Sequence, residues 1–250
     1  MALDTPTQSW LALDPQEAAK QVALGSQIMS TLGEDLTLGH VSVRHSCGNL
    51  ISIKRKGISL AEVGHDDVIV VDLNNPDGLK VSGMHLEALI HTEIYRARPD
   101  VGAVIHSHPV YSTALSSTNA NLEYLTHDSV LFHEGIGRYT DSAHLIMTPE
   151  QGQRVAHALG ERRAVLLQNH GVVFVGEDIR WAILSAITLE RSLKLQIYAG
   201  QLGKLNPIPL AEVKKIFPIK YQDKFLTEYW DRWVRGLGEH KASQGTRENQ

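Results

Sequence analysis

Residues Val101–Pro109 read VGAVIHSHP. An apolar run ends in His106, Ser107 and His108, and Pro109 stops it. This is the spelling of a strand that runs out to the end of its sheet. Residues two apart on a strand point to one face, so His106 and His108 project together. Two imidazoles at that spacing suit one metal ion. Two surface histidines beside a turn are spelled the same way, so the pair alone does not decide.

Outward from this strand, His85–Arg96 has helical periodicity and stops before Pro99. Ala164–Val175 reads as one long strand, bulged at Asn169-His170-Gly171. His40–Arg44, Leu50–Ile53 and Val68–Asp72 read as strands, with turn signals at Lys56-Gly57 and Asn74–Gly78. Asp14-Pro15 opens a first helix, Thr148 caps Pro149–Leu159, and Asp178–Gln201 is the longest helix. Leu210–Phe217 and Lys220–Leu237 are two more. Strands sit in the middle with helices around them and no steady βαβ beat. That predicts an α/β domain with a mixed or antiparallel sheet. Residues 1–10 read as a flexible arm, 11–236 as the domain and 237–250 as a polar tail.

The chain has 250 residues, with 13 His against a single Cys, Cys47. A disulfide within the chain is impossible, and Cys-rich zinc fingers and iron–sulfur clusters are excluded. Any metal must take nitrogen and oxygen ligands. A net charge of −4 gives no support for nucleic acid or an anionic membrane as partner. Met1–Trp10 lacks an apolar h-region and no apolar run is long enough to span a bilayer, so a cytoplasmic location is expected. Neither GxGxxG nor GxxxxGK[ST] occurs, which removes the dinucleotide and P-loop readings.

Two features add to the histidine pair. Gln168-Asn169-His170 places three polar residues inside an apolar run, and burying them is costly unless they are paired. A metal would satisfy the His. Glu87 lies just before the histidine strand, with His91 one helical turn on. Glu87 reads either as a solvated or Arg-paired carboxylate or as an acid/base. Three His and one nearby carboxylate describe an open catalytic site.

Four segments resemble the class II aldolase/adducin family. They are Gly39-His40-Val41-Ser42-Val43-Arg44; Lys54–Val63 (KRKGISLAEV) with Val68–Asp72; Glu87-x-x-x-His91 through Tyr95–Val101 to His106-x-His108-Pro109; and Gln168-Asn169-His170-Gly171 with Gly176 and the helix holding Glu190. The resemblance implies a single α/β/α three-layer domain around a mostly antiparallel sheet. It implies one divalent ion per subunit on His106, His108 and His170: zinc first, with manganese, iron or cobalt accepted by the same ligands. It implies Glu87 as catalytic acid/base, and a homotetramer with active sites at subunit interfaces. Tyr229 is the candidate to reach into a neighbour's site.

The sugar-phosphate members of the family have small hydroxyl and amide residues where this chain has His40, Lys56 before Gly57, and Ser82-Gly83. Such a pocket is more basic and suits a small-molecule carboxylate as well as a phosphate. The G-H-x-S-x-R variant resembles members that decarboxylate aromatic or ring-cleavage acids, such as dihydroxyphthalate and 2-hydroxy-3-carboxymuconic semialdehyde decarboxylases. The expected activity is therefore a divalent-metal-dependent carbon–carbon lyase of aromatic-acid catabolism, a decarboxylase first. A sugar-phosphate aldolase or epimerase, an iron-dependent oxygenase and a non-catalytic adducin-like module are the alternatives. Lys56, Arg44 and His40 are expected to hold carboxylates, with Ser42, Gly57 and Ser82 lining the pocket and His127 as proton donor. His45, His65, His85, His133, His144, His157 and His240 read as surface or satisfied positions.

Overall fold

Seven strands form one sheet in the order β3-β2-β1-β4-β7-β6-β5. The computed structural model describes Trp10 and residues 14–32 and 39–247, with side chains to 238. Most of the expected arm, residues 1–9, lies outside the described residues. The strands are β1 (His40–Arg44), β2 (Leu50–Lys54), β3 (Val68–Asp72), β4 (Ala103–Ser107), β5 (Gly137–Tyr139), β6 (Ala164–Leu167) and β7 (Gly171–Gly176). All neighbours pair antiparallel except β5 with β6. The helices are α1 (Pro15–Met29), α2 (Ala88–Ala97), α3 (Val110–Ser116), α4 (Pro149–Leu159), α5 (Ile179–Leu202), α6 (Leu210–Lys220) and α7 (Asp223–Arg247).

Alternation along the strands builds two cores. Val41, Val43, Ala103, Ile105, Val172 and Phe174 face a layer that includes α1, α5 and α7. Ile51, Ile53, Val104, Val173 and Val175 face α2 and α4. The result is the α/β/α sandwich that the resemblance implied. Asp14 caps α1 by accepting the Glu17 N–H at 2.8 Å, and Thr148 with Gln151 forms a capping box on α4.

Four expectations change. Ala164–Val175 is a hairpin rather than one bulged strand. Leu167 pairs with Gly171 and residues 168–170 form the turn. Asn169 takes φ 55°, a left-handed conformation that Asn tolerates. The polar trio therefore sits on a turn, and its spelling needs no buried strand. The helix expected from His85 begins at Ala88, which leaves His85 and Glu87 on the approach to it. The backbone stays helical through the expected tail as far as Arg247, and Leu237 is buried. The last residue of the expected arm is also docked. Trp10 packs edge-on against Trp230 at 5.8 Å and lies over the Arg180 guanidinium at 4.3 Å.

Candidate metal centre

His106 is wholly buried on β4. Its Nδ1 lies 3.0 Å from the Val172 carbonyl, which only accepts, so Nδ1 carries the hydrogen. Nε2 is left with its lone pair and meets no hydrogen-bond partner. His108 stands just past the end of β4, and His170 ends the β6–β7 turn. The three rings are 4.8, 5.1 and 5.3 Å apart between centroids. One nitrogen from each lies within 4.8 Å of the others. An unpartnered lone pair facing two more imidazoles and a carboxylate is the donor set a divalent cation takes.

Local sequence brings these side chains together. A Cβ on Gly171 would meet His108 Cδ2 at 2.5 Å and the Ser107 carbonyl at 2.7 Å, so only glycine lets the His170 turn press on His108. Glu190 of α5 accepts the N–H groups of Tyr111 (3.1 Å) and Ser112 (2.6 Å). It thereby fixes the chain immediately after His108-Pro109.

Glu87 precedes α2, where the helix dipole favours a negative charge. Its Oε1 accepts the Ile146 N–H at 2.9 Å. Its Oε2 lies 3.6 Å from His106 Nε2 and 3.5 Å from His170 Nε2. Burial alone would raise the carboxyl pKa. The His170 bond, the His106 ring and the Ile146 N–H outweigh it and hold the pKa at about 2. Glu87 is thus a carboxylate at neutral pH.

A second rank of groups lies behind this trio. His40 on β1 pairs directly across from His106, so both face α2, with rings 5.0 Å apart. His40 Nδ1 lies 2.6 Å from His91 Nε2, and His91 Nδ1 lies 2.6 Å from Ser42 Oγ. Ser42 Oγ in turn lies 2.9 Å from the Tyr95 hydroxyl. Burial, then neighbouring rings, push His40 and His91 well below the usual imidazole range. Burial brings His106 down to about 3.

The structure redistributes the expected pocket residues. Ser42 is wholly buried and engaged on both sides, so it holds His91 rather than substrate. Arg44 donates to the carbonyls of Val101, Gly48, Tyr95 and Arg98 and lies over the Tyr95 ring. With four donors spent on backbone, it is a brace and no anion clamp. Lys56, Gly57 and Ser82 are exposed on two loops joined by the Lys56 N–H to the Gly83 carbonyl at 2.8 Å. Gly57 has φ 85°, which glycine adopts without strain. His127 is exposed beside Asp128, which pairs with Lys220 on α6. Tyr229 is exposed on α7 against Trp233. Among the described residues, no contact joins either to the histidine cluster.

Two groups escaped the sequence reading. Lys54 is wholly buried, and its ammonium donates to the Arg55 carbonyl at 3.1 Å. Burial lowers its pKa to about 8. His85, expected as a surface or satisfied position, has its ring 4.4 Å from that of His40. The carbonyls of Arg55 and Lys54 lean on the ring, while its Nε2 is buried without a partner. Burial, then Lys54, brings its pKa down to about 4. In Lys-Arg-Lys-Gly nothing in the spelling says which lysine turns inward.

Residues 21–197 match the family profile described as class II aldolase and adducin N-terminal domain. The chain belongs to this family. Among family relatives, the decarboxylase NovR of Streptomyces niveus is 41% identical over 127 residues, 51% of this chain. That match takes in 47% of the relative, so the chain spans about half of its length. The 3,4-dihydroxyphthalate decarboxylase of Arthrobacter keyseri is 27% identical over 226 residues, covering 84% of this chain and 90% of the relative. The solved L-fuculose 1-phosphate aldolase of Glaciozyma antarctica superposes with a TM-score of 0.76 at 22% identity. It covers 97% of this chain and 95% of the aldolase, which establishes the class II aldolase fold. No described helix is long and apolar enough to cross a membrane.

Proposed function

We propose that this class II aldolase-family protein is a divalent-metal-dependent carbon–carbon lyase. Its reaction is the decarboxylation of a hydroxylated aromatic acid or of its ring-cleavage product. The observation that carries this is the bare Nε2 of His106 facing His108, His170 and the ionised Glu87. His106, His108 and His170 would hold the ion, zinc being the first choice for three imidazoles. When bound, the ion supplies Lewis-acid stabilisation of negative charge on a substrate oxygen.

The chain's own groups do the rest. Glu87, held as a carboxylate, takes the proton of the substrate hydroxyl and delivers it to the carboxylate-bearing carbon, so that the oxygen becomes a carbonyl. The carbon–carboxylate bond then breaks, its electron pair runs to that carbonyl and restores the enolate or phenolate, and carbon dioxide leaves. The buried Lys54 ammonium, with the neutral His85 ring beside it, forms the floor of the carboxylate-holding end, and Lys56, Gly57 and Ser82 form its rim. His127 and Tyr229 act, on this reading, across a subunit interface of a homotetramer.

The test is metal quantification on the purified protein combined with carbon dioxide release across hydroxylated aromatic and muconic acids. Metal-dependent release supports the proposal. An aldolase would instead cleave phosphorylated ketoses and be protected by them, rather than by dicarboxylates, against thermal unfolding.

A further inference from the structure

The line Tyr95–Ser42–His91–His40 is buried, and each contact is 2.6 to 2.9 Å long. Four groups in one line must agree on where their hydrogens point, and one end fixes the sense. Burial raises the Tyr95 phenol pKa, so it keeps its hydrogen. The Val104 N–H leans on the phenol oxygen and can only donate. The one acceptor for the Tyr95 hydrogen among its recorded partners is therefore Ser42 Oγ. The opposite sense would strand a buried phenol hydrogen without an acceptor. Ser42 then passes its own hydrogen to His91 Nδ1. His91 carries its hydrogen on Nε2 and donates it to His40 Nδ1. His40 is left with its hydrogen on Nε2.

A ring nitrogen of His40 lies within 4.8 Å of a Glu87 oxygen and a His106 nitrogen. Nδ1 is engaged with His91, so Nε2 is the nitrogen left for a ligand. We propose that Tyr95, Ser42 and His91 are positioning residues that lock His40 as its Nε2–H tautomer. His40 then donates a hydrogen bond to the substrate oxygen on which electrons collect. His40, Glu87 and His106 also have the spacing of a metal-binding group. The tautomer argues against that use, because a nitrogen bearing hydrogen has no lone pair to give. A donor aimed in advance at a developing oxyanion accelerates such reactions by roughly 10²–10³-fold. The tautomer stands on hydrogen placement alone. The donor role rests on the proposed lyase reaction.

The two parts are tested separately. Long-range proton–nitrogen correlation on the full chain labelled with 15N-histidine reads each tautomer directly. The expected result is Nε2–H for His40 and His91, with the opposite Nδ1–H form for His106 as internal contrast. Nδ1–H at His40 overturns the lock. In the active, metal-loaded enzyme, Tyr95→Phe and Ser42→Ala should lower kcat about tenfold or more. KM and metal content should stay near wild type. Unchanged kcat, or loss of the ion, overturns the positioning role. The expected tautomers in a protein without lyase activity would sink the proposed function and leave the lock standing.

Discussion

Strand β1 carries His40 at one end and Arg44 at the other, about 13 Å apart at strand rise. Both are polar and both reach under α2. At the Arg44 end every recorded donor finds a backbone carbonyl, and nearby Arg98 pairs with Asp100 and Arg163 with Glu177. A cleft of about 610 Å³ lies at this end, lined by Arg98, Arg163 and Glu177. At the His40 end, His106 Nε2 and His85 Nε2 are buried with nothing to bond. The cleft too has a buried nitrogen without a partner, His133 Nδ1, but among the described residues the metal-spaced groups of imidazoles with a carboxylate lie at the His40 end. On the proposed function the chemistry belongs to the histidine end, although a cleft lies at the arginine end.

Removing one group from each end gives the largest contrast. His106→Ala is expected to lose the ion and to lower activity by at least about 10³-fold, while the fold persists. Arg44→Ala is expected to do the reverse. It leaves four carbonyls short of a donor, lowers unfolding stability by roughly 2–4 kcal/mol, and retains the ion. Chemical denaturation alongside metal quantification checks both, and equal behaviour of the two variants would erase the distinction.

Acid should act on the histidine end next. Burial sets His40, His85, His91, His106 and His108 below 6.5, with His85 at about 4 and His106 at about 3. Between those values and 6.5 the unfolded chain binds protons that the folded chain refuses, so stability falls as pH drops below about 6.5. Glu87, at about 2 against 4.5, adds a loss in the same direction below about 4.5. Thermal unfolding from pH 8 to pH 4 measures this, and a flat midpoint between pH 7 and pH 5 would count against the buried neutral cluster.

The smallest effect is expected at exposed positions away from the cluster. Lys56→Ala and His127→Ala replace exposed side chains and should shift stability by no more than about 0.5 kcal/mol, with metal content unchanged. A loss of bound ion in either variant would mean that the loops reach the centre.

The sheet was legible because its strands are short apolar runs with clear turns. β5 escaped, since Gly137–Tyr139 is three residues long and pairs only with β6. The trio His106, His108 and His170 could be picked out by strand end and motif. Glu87 and His40 could be named as candidates too, but how they meet the trio could not. Spelling does not tell that Arg44 folds back onto carbonyls, or that His40 and His106 meet across β1 and β4. Those facts belong to register, which pairing between distant strands creates.

The most direct test is anomalous diffraction from crystals grown with zinc or manganese. One peak per chain is expected, for zinc about 2.0–2.1 Å from His106 Nε2, and bonded to His108 and His170. A peak bonded to His40, or no peak near His106, would contradict it.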